Sequence, residues 1–423
     1  MKKVLIISPH FPPVNAADMH RVRQSLPYFK DNGWEATVLY VSPEFVEMAK
    51  DPNLIKSIPT DVKCFGVEAF STTYTRKLGL GNLGLRAFLQ LYKKGNKLIK
   101  QEKFDLIYFS TTMFACMPLG RLWKKKFNIP FILDIQDPWR NDYYLTVPKE
   151  EQPPKFWFAY NLDKTLEKLT LPYADGLLAV SKGYIQTLKD RYPSIKNIPE
   201  KVLTFGAAEK DFDILPELNL PKNIKLDPEK LNFVYVGRGG SDMQISLNLL
   251  FTSFKEGLDT NSDFNRCKFW FIGTSYAPDG EGAKTIKPLA DKIGVGDYVE
   301  EITDRKPYFE VLNLLKSSDA IIIPGSEDQN YTASKLYPNI LAKKPLLCVF
   351  HSNSSVVSNV RILNAGKLVL FNETDAKEQC ASALQELVNT LPYTPNTNWE
   401  AFKPFTAQAM TKQQTDFFNE VIN

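Results

Sequence analysis

The chain has 423 residues, 43% of them hydrophobic and 24% charged, and a formal net charge of +4. This length exceeds what one hydrophobic core serves, so two or three domains are expected, and the composition excludes a disordered chain. No apolar run approaches the 18 residues of a membrane span, and the apolar run at residues 4–7 is too short for a signal peptide. The five cysteines are scattered, which favours buried thiols in a reducing cytoplasm over a metal cluster or a disulfide framework.

Short apolar segments alternate with longer helical patterns along the whole chain. Because parallel strands need crossover connections, this alternation predicts an α/β protein with helices on both faces of parallel sheets. In the first half the predicted strands are residues 4–8, 36–41, 62–67, 105–110, 131–135, 177–181 and 202–205. In the second half they are residues 233–237, 269–273, 298–302, 320–324, 346–350 and 368–371.

A segment with four prolines, residues 197–230, separates these halves and predicts a linker. We therefore expect two doubly wound, Rossmann-like domains at residues 1–195 and 225–395, joined by a linker at 196–224. Residues 396–423 are predicted to form a C-terminal helix that packs back on the first domain. Ligands of such sheets bind at the carboxyl ends of the strands, so a ligand cleft is expected between the domains.

The charge is unevenly divided between the halves. Residues 1–200 carry 29 basic and 20 acidic residues, a balance of +9, whereas residues 201–423 carry 23 and 28, a balance of −5. This asymmetry predicts that the first half faces a polyanion or an anionic membrane. No dense basic motif with interleaved aromatic residues is present, so no nucleic-acid partner is expected.

Two strand ends in the first half carry polar residues. The loop after the first predicted strand places His10 and Asn15 at the mouth of the cleft, with Arg21 on the helix that follows. A proline-stiffened turn with surface arginines explains the same residues equally well. At the end of the strand at 131–135, Asp134 and Asp137 lie three residues apart, and Asp137 is predicted to accept a proton from an acceptor hydroxyl or to orient it.

The alternative for Asp137 is a structural one. It would be the N-cap of a helix whose first residue is Pro138, a position that proline favours. Local sequence does not separate the two interpretations.

In the second half, the loop from Gly237 to Asp242 lacks the third glycine of a dinucleotide fingerprint, which disfavours an NAD oxidoreductase. Arg238 is better explained as a phosphate clamp, since a guanidinium pairs bidentately with phosphate oxygens. Thr332 and Ser334 precede a predicted helix with Lys335 just inside it, a pattern typical of an anion site. An ordinary helix cap beside a solvated lysine is the alternative.

Taken together, these segments resemble the glycosyltransferases of family 4, which have the two-domain GT-B fold. The residues that carry the resemblance are the proline loop at 11–13 with Arg21, the segment from Asp134 to Trp139, and residues 334–345, which are similar to the helix that holds the donor. The resemblance implies transfer of a sugar from a nucleotide sugar to a glycan or lipid-linked acceptor, with retention of configuration and with neither a bound metal nor a cofactor. Bacterial surface-polysaccharide biosynthesis is the expected pathway.

Three departures from the family pattern keep other functions open. The two glutamates that family members carry eight residues apart are replaced by Asn330 and Pro338, and the family's lysine after Arg238 falls on Met243. The usual catalytic histidine position falls near Gln136. A catalytically silent sugar-binding or scaffolding subunit therefore stays an alternative, whereas a nucleotide-sugar 2-epimerase is disfavoured because the chain has only three histidines.

The resemblance and the strand ends together give a set of candidate site residues. Asp137 and His10 are the predicted catalytic residues, and Asn15, Arg21 and Asp134 are predicted on the acceptor side. The predicted donor-binding residues are Arg238, Thr274, Arg305, Ser326, Tyr331, Thr332, Ser334 and Lys335.

A basic segment in the first half predicts contact with an anionic membrane. Eight basic residues and one acid lie between Arg76 and Lys103. On a helical wheel the apolar residues of 85–100 share one face, and Arg86, Lys93, Lys94, Lys97 and Lys100 fill another. A helix packed on its sheet with a solvated basic side is the alternative. The protein is expected in the cytoplasm, peripherally on the inner face of the plasma membrane if the basic face binds lipid.

Overall fold

The computed structural model describes residues 1–76, 81–153, 155–221, 223–327 and 335–423. The chain divides into two compact units. Unit 1 comprises Met1–Gly206 and Thr406–Asn423, and unit 2 comprises Ala207–Phe405. Thus unit 1 is made of two separate stretches of chain.

Unit 1 is built on a seven-stranded parallel sheet with strand order β3-β2-β1-β4-β5-β6-β7. The central strands β1 and β4 are mostly apolar and buried, as expected for strands covered on both faces. The strands are β1 (Lys2–Ile7), β2 (Trp34–Val41), β3 (Lys63–Val67), β4 (Leu106–Ser110), β5 (Phe131–Ile135), β6 (Gly176–Ala179) and β7 (Glu200–Val202).

Helices cover this sheet, and several begin at the side-chain caps that their sequences offer. The Asn82 side chain accepts the backbone N–H of Leu85 at the start of α3, and Ser181 accepts that of Gly183 at the start of α6. The helices are α1 (His20–Ser25), α2 (Thr72–Thr75), α3 (Leu83–Gln101), α4 (Pro118–Phe127), α5 (Phe156–Thr170) and α6 (Lys182–Arg191).

Unit 2 contains a six-stranded parallel sheet with strand order β10-β9-β8-β11-β12-β13. The strands are β8 (Leu231–Val236), β9 (Cys267–Ile272), β10 (Val299–Ile302), β11 (Ala320–Pro324), β12 (Leu346–Phe350) and β13 (Lys367–Leu370). The helices are α7 (Glu209–Asp213), α8 (Gln244–Thr260), α9 (Lys287–Ile293), α10 (Tyr308–Ser317), α11 (Leu336–Leu341), α12 (Ser355–Leu363), α13 (Ala376–Thr390) and α14 (Trp399–Phe402). Two apolar clusters, one on each face of the sheet, form its core.

A last helix, α15 (Ala407–Ile422), returns the chain to unit 1. The Thr406 side chain caps it by accepting the N–H of Ala409. Phe418 is buried against the rings of Phe29, Trp34 and Tyr108, at centroid distances of 6.2, 5.4 and 5.0 Å. The aromatic face of α15 is therefore part of the core of unit 1.

One strand lies at a different place from the one predicted. The prediction put a strand at residues 202–205, but β7 ends at Val202. The carbonyl oxygens of Leu203 and Thr204 instead accept hydrogen bonds from the guanidinium of Arg21, at 2.7 and 3.3 Å. A side chain from α1 thus takes the carbonyl oxygens that a longer strand would use.

Both sheets reverse their strand order beside the first strand of the unit. In unit 1 the chain crosses from β3 on one side of β1 to β4 on the other, and in unit 2 it crosses from β10 on one side of β8 to β11 on the other. Ligands of doubly wound sheets bind outside the carboxyl ends of the strands at such a reversal. A ligand site is therefore expected among the residues that follow β1, β4 and β5 in unit 1, and β8 and β11 in unit 2.

Candidate functional site

His10 lies at the carboxyl end of β1 and is paired with a buried aspartate that the sequence prediction missed. Its Nδ1 lies 2.9 Å from Oδ1 of Asp18. The other oxygen of Asp18 accepts from the hydroxyls of Thr111 and Thr112 and from the backbone N–H of Thr112, at 3.0, 3.2 and 3.0 Å. Burial alone would raise the pKa of Asp18, but the hydrogen bonds from His10, Thr112 and Thr111 outweigh it and lower that pKa below its ordinary value.

Asp137 follows β5 at the same edge of the sheet and is exposed. Its side chain has no hydrogen-bond partner among the residues that the structure describes. Partial burial and the negative charge of Asp18 raise its pKa. The first helical turn after Asp137 is Asp142–Leu145, which Asn141 caps, so Asp137 does not cap a helix at Pro138. The carboxylate is left available to a ligand.

Arg21 and Asp134 do not lie where an acceptor could reach them. Both side chains are completely buried and form an ion pair, with Nε of Arg21 2.7 Å from Oδ2 of Asp134. The same carboxylate accepts from the hydroxyls of Tyr108 and Ser110 at 2.9 Å each, and from Gln136 at 3.0 Å. These two residues therefore hold α1 to β5 inside unit 1, which differs from the acceptor-side position expected of them.

Asn15 is partly exposed in the loop after β1. The loop is fixed by backbone bonds, from Asn15 N–H to the Ala49 carbonyl at 2.9 Å and from Asp51 N–H to the Pro13 carbonyl at 2.7 Å. Asn15 is thus accessible in a loop that backbone hydrogen bonds hold in place.

In unit 2, Arg238 follows β8 and is held by an acid four residues along the chain. Its two terminal nitrogens lie 2.8 and 2.6 Å from the two oxygens of Asp242. Oδ2 of Asp242 also accepts from the Ser326 hydroxyl at 2.6 Å. Hydrogen bonding from Arg238, with smaller contributions from Ser326, lowers the pKa of Asp242 to about 2. Asp242, which sequence reasoning did not single out, therefore fixes Arg238 and ties it to the loop after β11.

Lys335 precedes α11 and lies close to the end of β8. Although the residue as a whole is exposed, its Nζ is 2.8 Å from the position that a Cβ would take on Gly237. Partial loss of hydration, together with the positive charges of Arg305 and Arg238, lowers the pKa of Lys335 to about 8. Three cations thus repel one another at one end of the sheet, an arrangement that an anion would relieve.

Thr274 and Arg305 follow β9 and β10 at the same edge. The guanidinium of Arg305 lies over the exposed ring of Tyr276, 3.9 Å from its centroid. The Thr274 hydroxyl instead donates to buried Glu301 at 2.8 Å, and Glu301 also accepts three backbone N–H groups at the start of α9. Thr274 therefore belongs to a helix cap, which differs from its expected role as a donor-binding residue. Tyr331, Thr332 and Ser334, and Asn330 with them, lie outside the described residues.

The predicted basic face of α3 is smaller than expected. Arg86 is buried and donates to the carbonyls of Phe70 and Phe45 at 2.8 and 2.7 Å, so it does not face solvent. Lys93, Lys97, Lys100 and Lys103 are exposed and have no acidic partner among the described residues. No helix in the described ranges is long and apolar enough to cross a membrane.

No family model matches the chain, and no curated protein matches it by sequence. Solved structures match over almost the entire length. Sucrose-phosphate synthase from Thermosynechococcus elongatus is 15% identical with a TM-score of 0.57, and 99% of each chain is covered.

Two further similar structures carry other descriptions. HepE of Anabaena, solved in complex with UDP, is 13% identical with a TM-score of 0.56, over 99% of this chain and 100% of that one. WaaG, a glycosyltransferase involved in lipopolysaccharide biosynthesis, is 13% identical with a TM-score of 0.51, over 98% and 95%. With these neighbours and its two parallel sheets, the chain has an α/β GT-B fold.

Proposed function

We propose that this chain is a glycosyltransferase that binds the diphosphate of a nucleotide sugar on unit 2 and transfers the sugar, with retention of configuration, to an acceptor bound on unit 1. The observation that carries the proposal is the convergence of Arg238, Arg305 and Lys335 at the carboxyl end of the unit 2 sheet. Such a cluster stabilises the charge that develops on a diphosphate leaving group. The GT-B fold and the UDP complex of HepE support the same assignment.

The chemistry needs a bond exchange and a proton transfer. The oxygen of an acceptor hydroxyl forms a bond to the anomeric carbon as the bond between that carbon and the diphosphate oxygen breaks. The hydroxyl proton leaves, ultimately to the released diphosphate. Asp137 is the proposed group that receives the hydroxyl proton or orients the hydroxyl, since its carboxylate has a raised pKa and no partner among the described side chains.

The experiment that tests the function has two stages. A thermal-shift screen with UDP-, GDP-, ADP- and CMP-linked sugars finds the donor, because a ligand that binds only the native state raises the melting temperature. Hydrolysis or transfer from the donor found in that screen then tests catalysis. A donor that binds but is never cleaved, with any acceptor, contradicts the proposal in favour of a catalytically silent sugar-binding subunit, which the replacement of a family glutamate by Pro338 also permits.

We further propose a lipid-linked acceptor of the kind used to assemble bacterial surface polysaccharides. The support comes from exposed cations on α3 and from exposed apolar side chains elsewhere in unit 1. Trp157 is 76% exposed and Phe158 46% exposed at the start of α5, and Leu122 on α4 is 41% exposed. Cations and an exposed indole together favour an anionic membrane surface, where each basic residue contributes about 1 kcal/mol.

Vesicle flotation tests the membrane contact. The protein should float with anionic vesicles at low salt and be released at about 0.5 M salt, because screening weakens the attraction. Glutamate at Lys93, Lys94 and Lys97 should abolish flotation. The matched control places the same three charge reversals at Lys316, Lys343 and Lys344 of unit 2 and should leave it unchanged. Equal recovery with neutral and anionic vesicles would favour a soluble acceptor.

A further inference from the structure

We propose that Asp18 is a positioning residue that holds His10 in a single tautomer, with the proton on Nδ1 and with Nε2 left as a hydrogen-bond acceptor for a sugar hydroxyl. The tautomer follows from the hydrogen bonds around Asp18 and from its ionised state. The identity of the hydroxyl rests on the proposed function. The pair is not part of the set of residues that the sequence predicted, since that set contains His10 without Asp18.

The carboxylate of Asp18 is surrounded by hydrogen-bond donors. Three donors, from Thr111 and Thr112, converge on Oδ2 of Asp18, and Nδ1 of His10 lies 2.9 Å from Oδ1. Asp18 is 4% exposed, and its lowered pKa keeps it ionised at neutral pH. An ionised carboxylate can only accept, so Nδ1 of His10 must carry a proton.

Nε2 is the other ring nitrogen of His10. Neutral imidazole carries one proton, so with Nδ1 protonated the Nε2 atom has a free lone pair. Nε2 of His10 has no hydrogen-bond partner within the described part of the chain. His10 is 6% exposed at the carboxyl end of β1, on the sheet edge where Asp137 also lies. The structure thus presents one acceptor atom at a fixed place.

The other two histidines of the chain have the opposite arrangement. Nδ1 of His20 lies 3.3 and 3.2 Å from Nε and Nη2 of Arg23, and a guanidinium cannot accept, so Nδ1 is the acceptor. Burial and the charge of Arg23 lower the pKa of His20 well below its usual value, so the ring is neutral. Nδ1 of His351 accepts the backbone N–H of Asn353 at 3.1 Å. His10 should therefore be the only one of the three histidines with its proton on Nδ1 when all are neutral.

The substitution Asp18→Asn should reverse the tautomer of His10. The backbone N–H of Thr112 can only donate, so it must keep the amide oxygen of the new side chain as its acceptor. The amide NH2 group then faces Nδ1 of His10, which has to accept. The ring proton moves to Nε2, and the atom that received the sugar hydroxyl becomes a donor.

Long-range proton–nitrogen NMR of the 15N-labelled full-length protein measures the tautomer directly. In the wild type we expect one histidine with its proton on Nδ1. The variant His10→Asn can still donate to Asp18 and should remove that signal, which assigns the signal to His10. Asp18→Asn should convert His10 to the Nε2–H form. The control Asp51→Asn changes another buried aspartate of unit 1, one that caps a turn by accepting the N–H of Asn53 at 3.0 Å, and should leave His10 unchanged.

Two results overturn the inference. One is a wild-type His10 with its proton on Nε2, which needs no variant to observe and so does not depend on whether Asp18→Asn folds. The other is an Asp18→Asn protein in which the tautomer reverses while kcat stays within twofold of the wild-type value. We expect kcat to fall about 100-fold, the scale of a positioned acid–base group, with donor affinity on unit 2 unchanged. If the wild type transfers no sugar at all, the proposed function fails, yet the spectrum still decides the tautomer.

Discussion

Replacing Lys335 by methionine should weaken the binding of a nucleoside diphosphate and remove its pH dependence in the alkaline range. Methionine keeps the length of the side chain and removes only the ammonium group. A charge-assisted hydrogen bond contributes about 1.5–3 kcal/mol, so the Kd at pH 7 should rise roughly 10- to 100-fold. Loss of the repulsion by Arg238 and Arg305 in the free protein offsets part of this effect, which favours the lower end of the range.

The pH dependence follows from the lowered pKa of Lys335, about 8. In the free protein roughly nine-tenths of the molecules carry the ammonium charge at pH 7 and roughly one-tenth at pH 9. A bound diphosphate favours the charged form and raises this pKa, so the complex takes up a proton and affinity falls as the pH rises through about 8. The ligand does not contribute a change of its own there, because the last phosphate proton is lost near pH 6.

Isothermal titration calorimetry between pH 7 and 9, in two buffers of different ionisation enthalpy, measures both the Kd and the proton uptake. Lys316 lies at the far end of α10, toward the opposite edge of the sheet, so Lys316→Met is the matched control and should bind like the wild type. A Lys335→Met protein that binds as tightly as the wild type, or that keeps the same loss of affinity above pH 8, would refute the reasoning.

Three further outcomes are expected. Asp137→Asn should lower turnover at least about 100-fold with little change in donor affinity or melting temperature, whereas a loss of stability with normal turnover per folded molecule would make Asp137 structural. Arg21→Met leaves buried Asp134 without its ion-pair partner and should lower the free energy of unfolding by about 3–5 kcal/mol in urea titration; a loss below about 1 kcal/mol would contradict the buried pair. Asp242→Asn removes the acid that competes with a diphosphate for Arg238, so diphosphate affinity at low salt should rise. Affinity that is unchanged or lower by calorimetry would show that Asp242 mainly orients the guanidinium.

The prediction of two parallel α/β sheets is confirmed, and its success has a physical cause. Strands covered on both faces are mostly apolar, so short runs such as Ala320–Pro324 stand out in the sequence. Strand β7 was placed too far along because its limit is set by Arg21, a residue about 180 positions away. No local pattern contains that information.

The sequence predicts where the candidate site residues lie better than it predicts what each of them does. Parallel topology brings the residues after β1, β5 and β8 to the carboxyl edges of the sheets, so His10, Asp137 and Arg238 could be named from strand ends. The sequence predicts that Arg21 and Thr274 contact ligands, because a charge or a hydroxyl near a strand end gives no sign that it is buried. Their partners, Asp134 and Glu301, come from other strands and appear only when the sheet forms.

The partners that fix the site residues were missed for a related reason. Asp18 lies eight residues from His10, beyond a run of prolines, and its pairing needs the backbone of Thr112 after β4. Asp242 lies four residues from Arg238, close enough for an ion pair, but the glycines between them suggest a dinucleotide loop and hide the pairing.

The return of α15 to unit 1 has a consequence for how the protein is made. A ribosome releases the first 206 residues long before α15, because all of unit 2 is synthesised in between. Until α15 arrives, the places that Phe418 occupies against Trp34 and Tyr108 stay open, as does the contact of Met410 with Arg21, whose guanidinium lies 3.6 Å from the methionine sulfur. Unit 1, although synthesised first, therefore cannot complete its core until α15 has been made. A released chain truncated before Thr406 should be cut readily in unit 1 by added protease, under conditions in which unit 2 resists it.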